Sequence, residues 1–178
     1  GPAAAEARGG PDEPFTILEI PEAAPGYCSS SGGSSAYENI SSVSLVPQAG
    51  GTQQLSVQVY IANPKGCTAG EPCESYDPSP ENVNVWIDWN GNSAWEASEQ
   101  VMDKALTGYL GINYGGTMSA IGQVVVPANA VGVTWMRANL GWGSDPNDPC
   151  TQSWQWGNVV DKQVALSPPK IKEIKVTG

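Results

Sequence analysis

The chain has 178 residues, with 8 lysines and arginines against 18 aspartates and glutamates, a net charge of −10, and no histidine. The charge argues against a nucleic-acid partner or an anionic membrane surface. The lack of histidine removes the commonest general base, the usual zinc ligand and every Ser-His or Cys-His nucleophile pair.

Residues 1–25, rich in Ala, Pro, Gly and Glu, read as a linker in which FTILEI (15–20) could pair as an edge strand. No transmembrane run or signal peptide stands out. The opening Gly1 and Pro2 resemble a protease scar, which predicts a targeting sequence already removed and a secreted protein. The folded unit is expected over 26–166, with strands at 38–46, 54–62, 82–89, 99–104, 117–126, 131–140 and 158–166. In the second of these Leu55, Val57, Val59 and Ile61 alternate with Gln54, Ser56, Gln58 and Tyr60, so one face is committed to a core. AWEASEQVMDKAL can form at most a turn or two of helix. The tail SPPKIKEIKVTG (167–178) reads as a linker or the start of a following domain, so a module of a longer protein is expected. The pattern predicts an all-β fold, an antiparallel β-sandwich of about seven to nine strands with two disulfides.

The stretch VNVWIDWNGNSAWEASE (83–99) carries the clearest chemistry. Val83, Val85, Ile87 and Trp89 share one face of a strand that reads as half-buried, and Asn82, Asn84, Trp86 and Asp88 share the other. With Asp88 as position 1, Asn90 and Asn92 fall at 3 and 5, the Ala94 carbonyl at 7, Glu96 at 9 and Glu99 at 12, the offsets of a twelve-residue calcium loop. Alternate residues of a tightly curled loop can point oxygens at one hard cation, so one bound calcium is expected. The glycine usual at position 6 is Ser93, and the approach is a strand rather than a helix. An Asx-rich turn that only ends the strand is the competing reading.

Four cysteines in a chain of secreted character predict two disulfides. Cys67 and Cys73 enclose the short TAGEP and can close locally, which leaves Cys28 to meet Cys150. That bridge would close a loop of about 120 residues, worth about 4 to 5 kcal/mol in the chain-entropy model. The seven tryptophans stand beside a single phenylalanine. Trp89, Trp95 and Trp135 are expected in the core. Trp86 shares the polar strand face, and Trp142, Trp154 and Trp156 lie in Gly-, Ser-, Asn- and Gln-rich sequence, where exposed rings beside amides would suit a sugar ring. The carboxylate pairs Asp88 with Glu99 and Asp145 with Asp148 are the only acid–base candidates. The first is better explained by a metal and the second by a Pro-broken turn, so no enzyme activity is expected. Arg137, in an otherwise apolar strand, needs an anionic partner if buried, and Asp161 is the candidate.

Four blocks in order, YCSSSGGSSAYENISSVSL (27–45), VNVWIDWNGNSAWEASEQV (83–101), VPANAVGVTWMRANL (126–140) and WGNVVDKQVAL (156–166), resemble the GEVED domain, a module of secreted bacterial proteins often found beside proteases and other extracellular enzymes. The resemblance spans residues 27–166, implies a β-sandwich, and fits a cysteine pair joining the two ends of the domain. Where the family has Gly-Glu-Val-Glu-Asp-Tyr, this chain has Gly157, Asn158, Val159, Val160, Asp161 and Lys162, so both glutamates are lost. The sequence therefore predicts a monomeric accessory module that binds a polysaccharide through exposed tryptophans, beside neighbouring domains of a longer chain. The alternative is a structural, adhesive or protein-interaction module with no sugar site.

Overall fold

The computed structural model describes residues 23–30, 32–35, 37–61, 80–107, 116–150 and 154–166. Within them seven strands form: β1 (Glu38–Pro47), β2 (Thr52–Ile61), β3 (Glu81–Ile87), β4 (Gln100–Leu106), β5 (Gly116–Val125), β6 (Val133–Trp142) and β7 (Gly157–Ala165). Every strand expected from the alternation is present, each end within about two residues of its expected place. As expected of a stretch able to form a turn or two at most, AWEASEQVMDKAL makes a single 3-10 turn, Ala97–Glu99, followed directly by β4. The expected Cys67–Cys73 bridge, the possible edge strand at 15–20 and the tail 167–178 lie outside the described residues.

The strands make two antiparallel sheets, β1-β2-β5 and β4-β3-β6-β7. Alternate residues of both point into one core: Leu55, Val57 and Val59 of β2 face Val83, Val85 and Ile87 of β3 and Met136, Ala138 and Leu140 of β6. This is the antiparallel sandwich that the periodicity predicts. Among the described residues no helix is long and apolar enough to cross a membrane.

Two features depart from a simple sandwich. β3 is buried on both faces, not one: Asn84, Trp86 and Asp88, on the side away from the core, are all buried. The segments 23–30 and 143–150 supply the cover, because Cys28 and Cys150 are joined there with Cα atoms 5.6 Å apart. The second feature is at the open edges, where unpaired carbonyls would otherwise template further strands. Lys162 of β7 donates from Nζ to the Val43 carbonyl of β1 at 2.8 Å, and Lys104 of β4 donates to the Ile121 carbonyl of β5 at 2.6 Å. Each seam between the sheets is thus stitched by one lysine.

The entry to β7 is close-packed. Residues Ser34 and Trp156 form a parallel bridge, with the Ser34 N–H donating to the Gln155 carbonyl and the Gly157 N–H to the Ser34 carbonyl. Gly157 has φ +126, and a Cβ there would sit 1.9 Å from the Leu140 carbonyl oxygen. Both the backbone conformation and the space demand glycine. Gly157→Ala is expected to destabilise the domain by at least about 2 kcal/mol, read as a lower urea midpoint at unchanged slope.

Candidate functional site

The loop that follows β3 is organised by two buried carboxylates. Asp88 begins it. Its Oδ1 accepts the N–H groups of Gly91 and Asn92 at 2.9 and 3.3 Å, while its Oδ2 accepts the Ser93 N–H at 3.0 Å and the Tyr27 hydroxyl. A carboxylate has about four lone-pair positions, so Asp88 is filled. Glu99 closes the loop by accepting the Trp89 N–H on one oxygen and the Glu96 N–H on the other, both at 2.8 Å. Burial is the largest influence on the Glu99 carboxyl and raises it above the usual carboxylate range, with the charges of Asp88 and Glu96 adding to the effect. The two N–H donors act in the opposite direction.

The exposed rim of the loop is formed by Asn90, Asn92 and Glu96. Asn90 and Asn92 each accept a backbone N–H on Oδ1, from Asn92 and Ala94, both at 3.1 Å, which leaves their amide groups donating to the Glu96 carboxylate. Ser93 has φ 65, the left-handed conformation that a position-6 glycine would supply. The predicted ligands Asp88, Asn90, Asn92, Glu96 and Glu99 are therefore brought together around one short turn, with Ala94 exposed on it. Their oxygens suit a hard cation in kind, but most are engaged by N–H donors. Among the described residues no three acidic or cysteine side chains group as a metal-ligand set.

Tyr27 links this loop to a second cluster on the outer face of β3 and β6. Trp86, Trp95 and Ala24 are buried there, with Tyr27, Cys28, Trp135 and Cys150 packed around them. Cross-strand register sets Arg137 opposite both Trp86 and Asp161. The Arg137 Nε and Nη2 donate to the two Asp161 oxygens at 2.7 and 2.9 Å, and Nη1 donates to the carbonyls of Cys28 and Pro149 at 2.8 and 2.7 Å. Its guanidinium carbon lies 5.1 Å from the Trp95 ring centroid, and Asp161 also accepts the Ala24 N–H at 2.8 Å. The partner expected for Arg137 is thus the one found.

Along the same face, amides hold the 143–150 segment. Asn84 donates to Asp145 at 2.7 Å and accepts from Gln100 at 2.9 Å, and Gln100 also donates to Asn147. Asn139 donates to the carbonyls of Pro146 and Asp148, and Asp148 accepts the Cys150 N–H. Asp148 therefore serves the backbone of its own turn, as expected, while the Asp145 carboxylate ties that turn to Asn84 of β3.

The tryptophans divide differently from the prediction. Trp86 is 2% exposed and Trp154 8%. Neither presents a face to a ligand, because Trp86 lies under the 23–30 segment and Trp154 is anchored by its indole N–H to the Leu140 carbonyl at 2.7 Å. The polar sequence around Trp154 hides a ring used for packing. Trp142 and Trp156 are half-buried, Trp142 resting on the main core. Trp156 meets Tyr37 edge-on, with centroids 5.1 Å apart, and Tyr37 is 49% exposed. Sequence reasoning missed Tyr37. Its only local signal is an aromatic just before a strand, which is common for packing reasons. Of the three tryptophans expected inside, Trp95 is buried while Trp89 and Trp135 are half-buried.

An antiparallel sandwich with a disulfide-tied cover on one outer face is the class that the fold and this site define. The family model of the GEVED domain matches residues 82–164, so the likeness read from the sequence is shown from β3 to β7. The match leaves out β1, β2 and Cys28. No curated protein matches the chain.

Burial and the Asp88 contact together push the Tyr27 hydroxyl up to about 12, so it stays a donor throughout the neutral range. Tyr27→Phe removes a hydrogen bond to a buried charge and is expected to cost about 1 to 3 kcal/mol. Arg137→Ala, which strands Asp161, is expected to cost about 3 to 5 kcal/mol. Urea denaturation of each variant measures both losses.

Proposed function

We propose that this domain is a noncatalytic accessory module of a secreted protein that attaches to a carbohydrate polymer through an aromatic edge of Trp156, Tyr37 and Trp142. The observation that carries this reading is the pair Tyr37 and Trp156, a half-exposed ring set edge-on to a half-buried one, beside the glycine- and serine-rich residues 32–35. Rings held by packing while open on one side offer a sugar its C–H stacking surface at little entropic cost. The GEVED match supports the accessory role. The noncatalytic reading is supported by how the carboxylates of Asp88, Glu99, Asp145 and Asp148 are engaged, and secretion by the Cys28–Cys150 bridge. A structural or adhesive module is the second reading, favoured by the burial of Trp86 and Trp154.

Pull-down on a panel of insoluble polysaccharides tests the first reading. Binding should fall at least about tenfold in Trp156→Ala and Tyr37→Ala with melting little changed, whereas Trp154→Ala should instead cost about 3 to 5 kcal/mol of stability. No retention on any polysaccharide would favour the structural module.

Calcium is part of the same proposal. The ion would be held at the loop rim by Glu96, Asn90 and Asn92 after their amides rotate, with the Ala94 carbonyl beside them and Asp88 and Glu99 keeping the loop in shape. Calcium should then raise the melting temperature by mass action, and Glu96→Gln should abolish the rise. A melting curve unmoved by calcium or EDTA would assign the loop to its own hydrogen bonds.

A further inference from the structure

Asn90 is the only asparagine of the chain that is followed by glycine. Both residues are exposed in the loop after β3, and Gly91 has φ +70. The Gly91 nitrogen can attack the Asn90 side-chain carbon to close a cyclic imide, and an attacking residue with no Cβ leaves that approach unobstructed. The loop engages both partners of the reaction. The Gly91 N–H donates to the Asp88 Oδ1 at 2.9 Å, so a carboxylate lies within reach of the proton that must leave the nitrogen. The Asn92 N–H donates to the Asn90 Oδ1 at 3.1 Å and so meets the oxygen on which negative charge develops. The same pair of contacts recurs further along the loop, where the Ser93 N–H donates to the Asp88 Oδ2 at 3.0 Å and the Ala94 N–H to the Asn92 Oδ1 at 3.1 Å. There the attacking residue is a serine, whose side chain crowds the approach. Asn84 and Asn139 are fully buried and precede valine and leucine.

We propose that Asn90 is a self-modification site, at which the loop converts the side-chain amide to a carboxyl group. The Gly91 nitrogen gives its proton to Asp88 and bonds to the Asn90 Cγ. The Cγ–Nδ2 bond breaks, and the amide nitrogen takes up that proton and leaves as ammonia. Water then opens the imide. Attack at Cγ restores the ordinary backbone and leaves aspartate, while attack at the main-chain carbonyl leaves isoaspartate. One water is consumed and one ammonia released, with no change of oxidation state. Before conversion the Asn90 amide donates to the two Glu96 oxygens at 3.4 and 3.2 Å. Afterwards a carboxylate stands there instead, so a donor is lost and like charges meet at the loop rim. A cation at the rim would relieve that repulsion. This last consequence rests on the proposed calcium site, and the conversion itself does not.

The test incubates the whole chain in EDTA under warm, mildly alkaline conditions below its melting temperature. Fragmentation mass spectrometry then locates each amide-to-acid mass gain. Asn90 should convert first and Asn92 later, with Asn84 and Asn139 intact while the chain is folded. Conversion of Asn90 should be no slower in the folded chain than in a free peptide of residues 83–99. Ser93→Gly, which suits the φ of 65, should bring Asn92 up to the rate of Asn90. Another asparagine converting ahead of Asn90 would overturn the site. So would a folded chain slower than the peptide, since the hydrogen bonds would then protect the amide. Converted protein, separated by anion exchange, should melt below the unconverted form in EDTA and gain more from added calcium. Conversion with neither form responding to calcium would sustain the site and overturn the calcium reading alone.

Discussion

The buried guanidinium of Arg137 is the contact on which the rest of the outer face depends. A charge that is 2% exposed survives only if its donors are met, and here a carboxylate and two backbone carbonyls from three separate segments meet them. Because those carbonyls belong to Cys28 and Pro149, satisfying the arginine brings the first described segment and the 143–150 loop together, with the disulfide one residue from Pro149. Hydrogen bonds fix the approach and the covalent bond makes it permanent. Trp86 and Trp95 are buried as a consequence, and Trp95 returns the favour by placing its ring against the cation.

The same economy runs through the loop after β3 and along the sheet edges. Asp88 and Glu99 spend their oxygens on backbone N–H groups, so a loop of polar residues holds its curl without an apolar core of its own. The described lysines spend their donors on strand carbonyls at the two seams. The chain carries 18 acidic residues against 8 basic ones, and Tyr37 and Trp156 meet edge-on near the starts of β1 and β7. On the proposed carbohydrate reading, that excess of acids favours a neutral polymer over an anionic one.

The departures from the family's name-giving motif acquire structural meaning in β7. Asp161, the retained acid, is the partner of Arg137. Asn158 stands where the family has its first glutamate and accepts the Ile40 N–H at 2.9 Å, beside the irregularity in β1 pairing between Ile40 and Ser42. Val160 replaces the second glutamate and packs against the main core. Lys162 replaces the tyrosine and stitches β7 to β1. The four positions now serve the strand's own attachments rather than presenting a row of acids.

The strands were legible from the residues because alternation is a local property: Leu55, Val57, Val59 and Ile61 can bury together only as one face of β2. Spacing likewise predicted the Cys28–Cys150 bridge, and the cost of an unpaired buried charge predicted Asp161 as the partner of Arg137. The cover over β3 was not legible. Asn84 and Trp86 look like the wet face of a half-buried strand until residues distant in sequence are laid across them. Composition likewise misplaced Trp154, since its burial depends on the Leu140 carbonyl meeting its indole N–H, a contact between strand and loop that no alternation pattern signals. Local periodicity thus determined which residues form strands and which face carries the core. Only the tertiary structure decided what covers the second face, because that choice rests on hydrogen bonds between segments more than a hundred residues apart, such as Arg137 with Cys28.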